Sequence, residues 1–207
     1  MGGGEHGPDR PGASRSYHPQ SRRRHSGRSR HALAVAAIRA ALAAGLALTL
    51  ATQAAAGVPE GYHRVAQAEG VPADVLYALA AAESGARLST GAARPWPWTL
   101  NVGGRPERYR TYREALDALE RHLAAGKRNI DIGLMQVNWH WHEERLQDPA
   151  RALDPYRNLR IGAAILREQY ERSGHWLEAS GLYHAPSNTT NAARHRARVQ
   201  HHLEALP

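Results

Sequence analysis

The 207-residue chain has no cysteine, a single lysine and, after the initiator, a single methionine. Without cysteine there is no disulfide scaffold, no thiolate zinc site and no cysteine nucleophile; export without disulfides remains compatible. The lone Lys127 stands beside 26 arginines. Together with abundant alanine this looks like the coding bias of a G+C-rich genome, so arginine content says little about function. The formal charge of +8 is unevenly placed. Residues 1–56 carry eight Arg and two acids, while residues 57–207 carry 19 basic and 17 acidic side chains, a net of +2. The basicity therefore sits at the N-terminus and makes no case for a nucleic-acid partner of the rest. A DNA-binding arm would be confined to residues 1–31, with salt-sensitive binding lost on their removal.

Residues 1–31 also lack apolar side chains almost entirely, which predicts a disordered basic segment. No apolar run reaches the roughly 20 residues of a membrane-spanning helix. The stretch Ala40–Ala51 is uncharged, but Arg39 breaks the longer run that starts at Ala32. A positive flank, a short apolar core and Ala54-Ala55-Ala56 together make a secretory signal peptide over residues 32–56, cut before Gly57. An uncleaved anchor is the alternative. The expectation is export to the periplasm, with no stable membrane span after cleavage.

Residues 57–207 read as one domain, mainly α (α+β), a single helical domain with a small β-hairpin insertion. Val71-Pro72-Ala73-Asp74 opens a helix that runs through an uninterrupted apolar stretch to Gly85 and should be buried. Trp98–Val102, Gly103-Gly104 and Tyr109–Tyr112 suggest the hairpin. Thr111 and Glu114 form a capping-box pattern before a helix carrying Leu116, Leu119 and Leu123. Asn129–Val137 reads as extended. Leu159, Gly162, Ala163, Leu166 and Tyr170 make a helical stripe after Asp154-Pro155, and two helices close the chain. No internal repeat is present.

Two features carry chemistry. Glu83 is a carboxylate at the end of an otherwise apolar helix, and at the helix's electronegative end. Desolvation and the dipole both favour its protonated form. The plainer alternative is a solvated or ion-paired residue at a helix end. The second feature is Gly133-Leu134-Met135-Gln136-Val137-Asn138, where Gln136 and Asn138 present two uncharged amides suited to sugar hydroxyls and N-acetyl groups. Alternatively both amides make internal loop hydrogen bonds.

Taken together these segments resemble the transglycosylase SLT domains of bacterial lytic transglycosylases, in the lysozyme-like superfamily. Ala82-Glu83-Ser84-Gly85 matches the motif around the family's catalytic glutamate, and Gly133–Asn138 matches G-L-M-Q-[IV]-N. Asn158 with Gly162-Ala163 matches N-x-x-x-G-A. Ala179–Tyr183 with His184-Ala185-Pro186 stands where the family ends a helix with A-Y-N-A-G; Tyr183 fits, His184 and Pro186 depart. The resemblance implies a lysozyme-like fold, Glu83 as sole acid/base and Tyr183 orienting it. It also implies Ser84, Met135 and Gln136 as lining of the glycan cleft.

The implied reaction cleaves the bond between N-acetylmuramic acid and N-acetylglucosamine in peptidoglycan glycan strands, with a 1,6-anhydro product and no cofactor. Asp131 adds an alternative, because Asp131-x-Gly-x-x-Gln-x-Asn also resembles c-type lysozymes, where an aspartate there is the second carboxylate of a hydrolase. Otherwise Asp131 caps a turn or binds Arg128. The Trp-rich insertion Arg94–Gly104 resembles a subset of these enzymes associated with conjugation or type IV secretion components. Trp96 or Trp98 then either stacks on sugar or pins the hairpin to the core. His140-Trp141-His142-Glu143-Glu144 lacks a second cluster, so no metal site is expected. The sequon Asn188-Thr189-Thr190 is discounted in a bacterial-looking chain, and a monomer is expected. A non-catalytic peptidoglycan-binding scaffold on the same fold is the remaining alternative, and retention of Glu83 in its motif speaks against it.

Overall fold

Apolar residues at nearly every position from Val75 to Ala82 leave one helix without a polar face, and the fold is arranged around it. A computed structural model describes residues 57–87 and 93–207. The expected disordered segment 1–31 and the signal peptide 32–56 lie outside the described residues. Helix α1 (Glu60–Glu69) ends at Gly70 and leads through Pro72 into the apolar helix α2 (Ala73–Ser84). Leu76, Ala78, Leu79 and Ala80 of α2 are completely buried. At Gly85 the chain passes directly into a short strand β1 (Gly85–Arg87), paired antiparallel with β2 (Ala93–Pro95).

The expected hairpin is present but begins to return sooner. Strand β3 (Thr99–Val102) pairs with β4 (Arg105–Arg108), so the second strand is not Tyr109–Tyr112. Gly103 and Gly104, at φ 57° and 86°, close a two-residue turn, and pairing resumes at once with Val102 opposite Arg105. Positive φ at both turn residues matches the strand twist and favours glycine. The hairpin belongs to a larger antiparallel sheet of order β4-β3-β5-β6, with β5 at Ile130–Ile132 and β6 at Val137–Asn138. The segment expected to be extended from Asn129 to Val137 is thus two short strands. Between them Gly133–Gln136 turns, with Gly133 at φ 79° and Gln136 at φ 46°.

Helix α3 (Tyr112–Ala124) starts as its capping residues indicate: Thr111 accepts from the Glu114 amide at 3.2 Å. The Glu114 carboxylate accepts from the Arg110 amide at 3.0 Å, one residue before the position a capping box would use. Helices α4 (Trp139–Leu146) and α5 (Pro149–Ala152) lead to α6 (Pro155–Ser173), which Asp154 caps at the Arg157 amide at 2.7 Å. Helix α7 (Trp176–His184) and α8 (Thr189–Glu204) follow. Asn188 of the discounted sequon is the N-cap of α8, accepting from the Asn191 amide at 3.0 Å. Helix α2 packs against α1, α7 and α8, so its C-terminus meets the β5–β6 turn on one side and α7–α8 on the other. The architecture is mainly α with small antiparallel sheets, as expected. No helix among the described residues is long and apolar enough to cross a membrane.

Candidate active site

Where α2 ends, its apolar surface carries a single carboxylate into a cleft of about 770 Å³. The Glu83 side chain is only 9% exposed. Burial is the largest influence on it and raises the carboxyl above its ordinary value; Asp131 adds to the rise, while His184 and Arg198 oppose it. The net direction is upward, toward a carboxyl that keeps its proton longer than a surface glutamate would.

Two histidines face this carboxylate. His184 Nδ1, at the end of α7, lies 3.5 Å from Glu83 Oε1, and His195 Nε2, from α8, lies 3.2 Å from the same oxygen. Their rings are stacked, with centroids 4.3 Å apart and planes within 6°. Arg198 Nη2 approaches His195 Nδ1 at 2.7 Å. A guanidinium only donates, so this nitrogen accepts and the neutral ring carries its proton on Nε2. Burial, then His184 and Arg198, push His195 down to about 3, so it stays neutral. His184 moves upward, mainly through its nearness to Glu83. The ligand-type atoms of Glu83, His184 and His195 lie within 4.8 Å of one another, the spacing of a cation site. The proton on His195 Nε2 removes the lone pair such a site would require, so the trio reads as a carboxyl flanked by two imidazoles.

The two sequence motifs meet beneath the cleft. Ser84 is fully buried, and its hydroxyl shares its one proton between Leu134 O at 2.8 Å and Ala80 O at 3.1 Å. Met135 is fully buried as well, and a Cβ added at Gly162 would lie 2.5 Å from its Cβ. Asn158, also buried, accepts from the Met135 amide at 2.9 Å and donates to Ile132 O at 2.8 Å and Ala152 O at 3.1 Å. Ser84 and Met135, expected in the cleft lining, are therefore support: neither side chain reaches the cleft, because each fills the junction between α2, the turn and α6. Tyr183 lines the cleft, but its hydroxyl donates to Met135 O at 2.7 Å and not to Glu83. It ties α7 to the turn and holds Glu83's surroundings through that tie.

Asp131, Gln136 and Asn138 do line the cleft. Asp131 accepts from Asn138 Nδ2 at 2.7 Å and from Asn101 Nδ2 at 3.0 Å, whereas Arg128 pairs with Glu143. Burial raises Asp131, against the pull of those two amides. Gln136 Nε2 donates to Gly133 O at 2.9 Å and Thr99 O at 3.3 Å. Gln136 belongs to the turn, so the two amides do not share one strand face. Trp98 is half-buried against the core, with Nε1 enclosed and its ring edge-on to Trp96. The exposed tryptophan on the cleft is Trp141, 76% exposed.

In sequence, Trp141 stands out only within the run of residues 140–144, and His184 only as a departure from the family motif. His195 was missed, although Ala192, His195, Val199 and Leu203 repeat at helical spacing and mark the inner face of α8.

A family model for the transglycosylase SLT domain matches residues 62–204. No curated protein and no solved structure matches the chain. The match spans both motifs, the cleft between them and the helices that enclose it, and the chain belongs to the transglycosylase SLT domain family.

Proposed function

We propose that this protein cleaves peptidoglycan glycan strands as a lytic transglycosylase with Glu83 as its only acid and base. The observation that carries this reading is a nearly buried carboxyl, biased toward its protonated form, at the floor of a glycan-sized cleft. The neutral carboxyl gives its proton to the glycosidic oxygen as the bond to C1 of N-acetylmuramic acid breaks. The substrate's own 2-acetamido oxygen supports C1, so no nucleophilic side chain is needed. The 6-hydroxyl then attacks C1 and its proton returns to Glu83. The product ends in 1,6-anhydro-N-acetylmuramic acid, no water is consumed, and the enzyme finishes as it began.

A hydrolytic muramidase is the second reading, favoured by the presence of Asp131 in the same cleft. The amides of Asn101 and Asn138 hold its two oxygens in place, which suits a fixed electrostatic partner better than an attacking group. For the cell, the reading is that residues 32–56 direct export to the periplasm. The Trp-rich insertion supports service to a conjugation or type IV secretion apparatus, where local wall opening is required.

Purified peptidoglycan incubated with the wild-type protein is expected to release soluble muropeptides, and Glu83→Gln to release none while still binding. Release by Glu83→Gln at the wild-type rate would remove Glu83 from the chemistry.

A further inference from the structure

The general acid must lose its proton in a site that disfavours the resulting anion, and the groups around Glu83 differ in their capacity to help. Asp131 from β5 has the wrong sign. Tyr183 from α7 directs its proton to Met135 O. His195 from α8 is neutral, and its Nε2 lies 3.2 Å from Glu83 Oε1 without the alignment of a hydrogen bond. Arg198 from α8 carries a permanent charge, but its guanidinium is directed at the far nitrogen of His195. His184 remains: its Nδ1 is 3.5 Å from the carboxylate oxygen, it is open to solvent on its other side, and His195 holds its ring flat.

We propose that His184 is a positioning residue for Glu83, a cation that keeps Oε1 aimed into the cleft and stabilises the carboxylate between proton donation and proton return. This rests on the reading of Glu83 as acid and base. The stack supplies the geometry, because a buried neutral ring 4.3 Å beneath His184 restricts its rotation while leaving one edge free to exchange protons with water. The upward direction of His184, caused mainly by Glu83, favours a cationic ring whenever Glu83 is ionised. A cation there has two opposed effects. It eases departure of the proton in the transition state, and it makes Glu83 ionise at a lower pH in the resting enzyme.

Replacing His184 with a non-titrating donor separates these effects. In His184→Gln, measured with soluble glycan strands, kcat is expected to fall about tenfold with KM within roughly twofold. At the same time the alkaline limb of the pH–rate profile is expected to move up on the order of one pH unit, because Glu83 keeps its proton longer. A merely structural role lowers the rate and leaves the limb in place, and an unmoved limb overturns the proposal whatever the rate. A second measurement needs no turnover. In the imidazole NMR titration of the wild type, His184 is expected above the ordinary histidine value, returning toward it in Glu83→Gln; a His184 titration indifferent to Glu83→Gln also overturns the proposal. The two readings fail separately, since a cleaving Glu83→Gln variant refutes the acid/base role, whereas an inactive one with an unmoved His184→Gln limb refutes only the role of His184.

Discussion

Ser84, Met135 and Asn158, beneath the cleft, are fully buried and hydrogen-bonded to neighbouring elements, whereas Trp141 and His184 on its rim stand open to solvent. The first group comes almost entirely from the motifs that the sequence shares with its family. The second comes from a helix start and a helix end that look unremarkable or deviant in sequence. Motif residues therefore supply both the support under the site and part of its surface, since Glu83, Gln136, Asn138 and Tyr183 also line the cleft. Glu83 joins the two, anchored by a buried helix and presented to the cleft.

That contrast can be broken by mutation, beginning with the largest effect. Glu83→Gln should lower glycan release by about a thousandfold or more without unfolding the protein. It should even melt higher than wild type at pH 7. A carboxyl whose folded value lies above its unfolded one loses stability as pH rises through that interval, and glutamine does not titrate. The difference should close below about pH 4, where both states of Glu83 become protonated. Calorimetry across pH would show it, and an unchanging gap would contradict the assigned direction.

Beneath the cleft, Gly133→Ala should act through stability. The residue lies at φ 79°, and an added Cβ would come 2.7 Å from the Asn158 side chain, which three hydrogen bonds hold in place. A cost of about 3 kcal/mol is expected, lowering the melting temperature by roughly 10 °C. A variant that melts like wild type would mean the support is softer than its packing implies. Asp131→Asn keeps the amide contacts in part and removes a charge. It should slow release about tenfold without changing the chemical form of the ends, if Asp131 acts as an electrostatic partner.

The smallest expected effect lies on the rim, at Trp141, and is sharpened by comparison with the half-buried Trp98. Trp141→Ala should raise KM roughly fivefold and leave the melting temperature in place, because the ring presents an open face to the cleft. Trp98→Ala should do the reverse, with stability falling by about 3 kcal/mol. Equal effects on binding would return Trp98 to the glycan surface.

The fold was largely legible because its signals are local. Eight consecutive apolar residues announced α2, Thr111 announced a cap, and Gly103-Gly104 announced a turn. The end of the hairpin and the Gly133–Gln136 turn were misjudged, since positive φ at Gln136 has no glycine to signal it. In the site, Glu83 stood out because a lone carboxylate in an apolar run is anomalous on its own. Ser84 and Met135 were assigned to the wrong side of the wall, because spacing along a chain does not say which face a motif residue turns to the cleft. His195 escaped notice because arginines on either side of it make the helix read as solvated, while its inner stripe is only four residues wide.

A single-carboxylate transglycosylase leaves a chemical signature that no structural argument can imitate. The mass of the muropeptides released by wild type and by Asp131→Asn tests it most directly. Both should yield ends lighter by one water than hydrolysis would give, the 1,6-anhydro form, at different rates. Ends carrying the added water from the wild type, with Asp131→Asn inactive yet still binding, would contradict it and make Asp131 the second catalytic carboxylate.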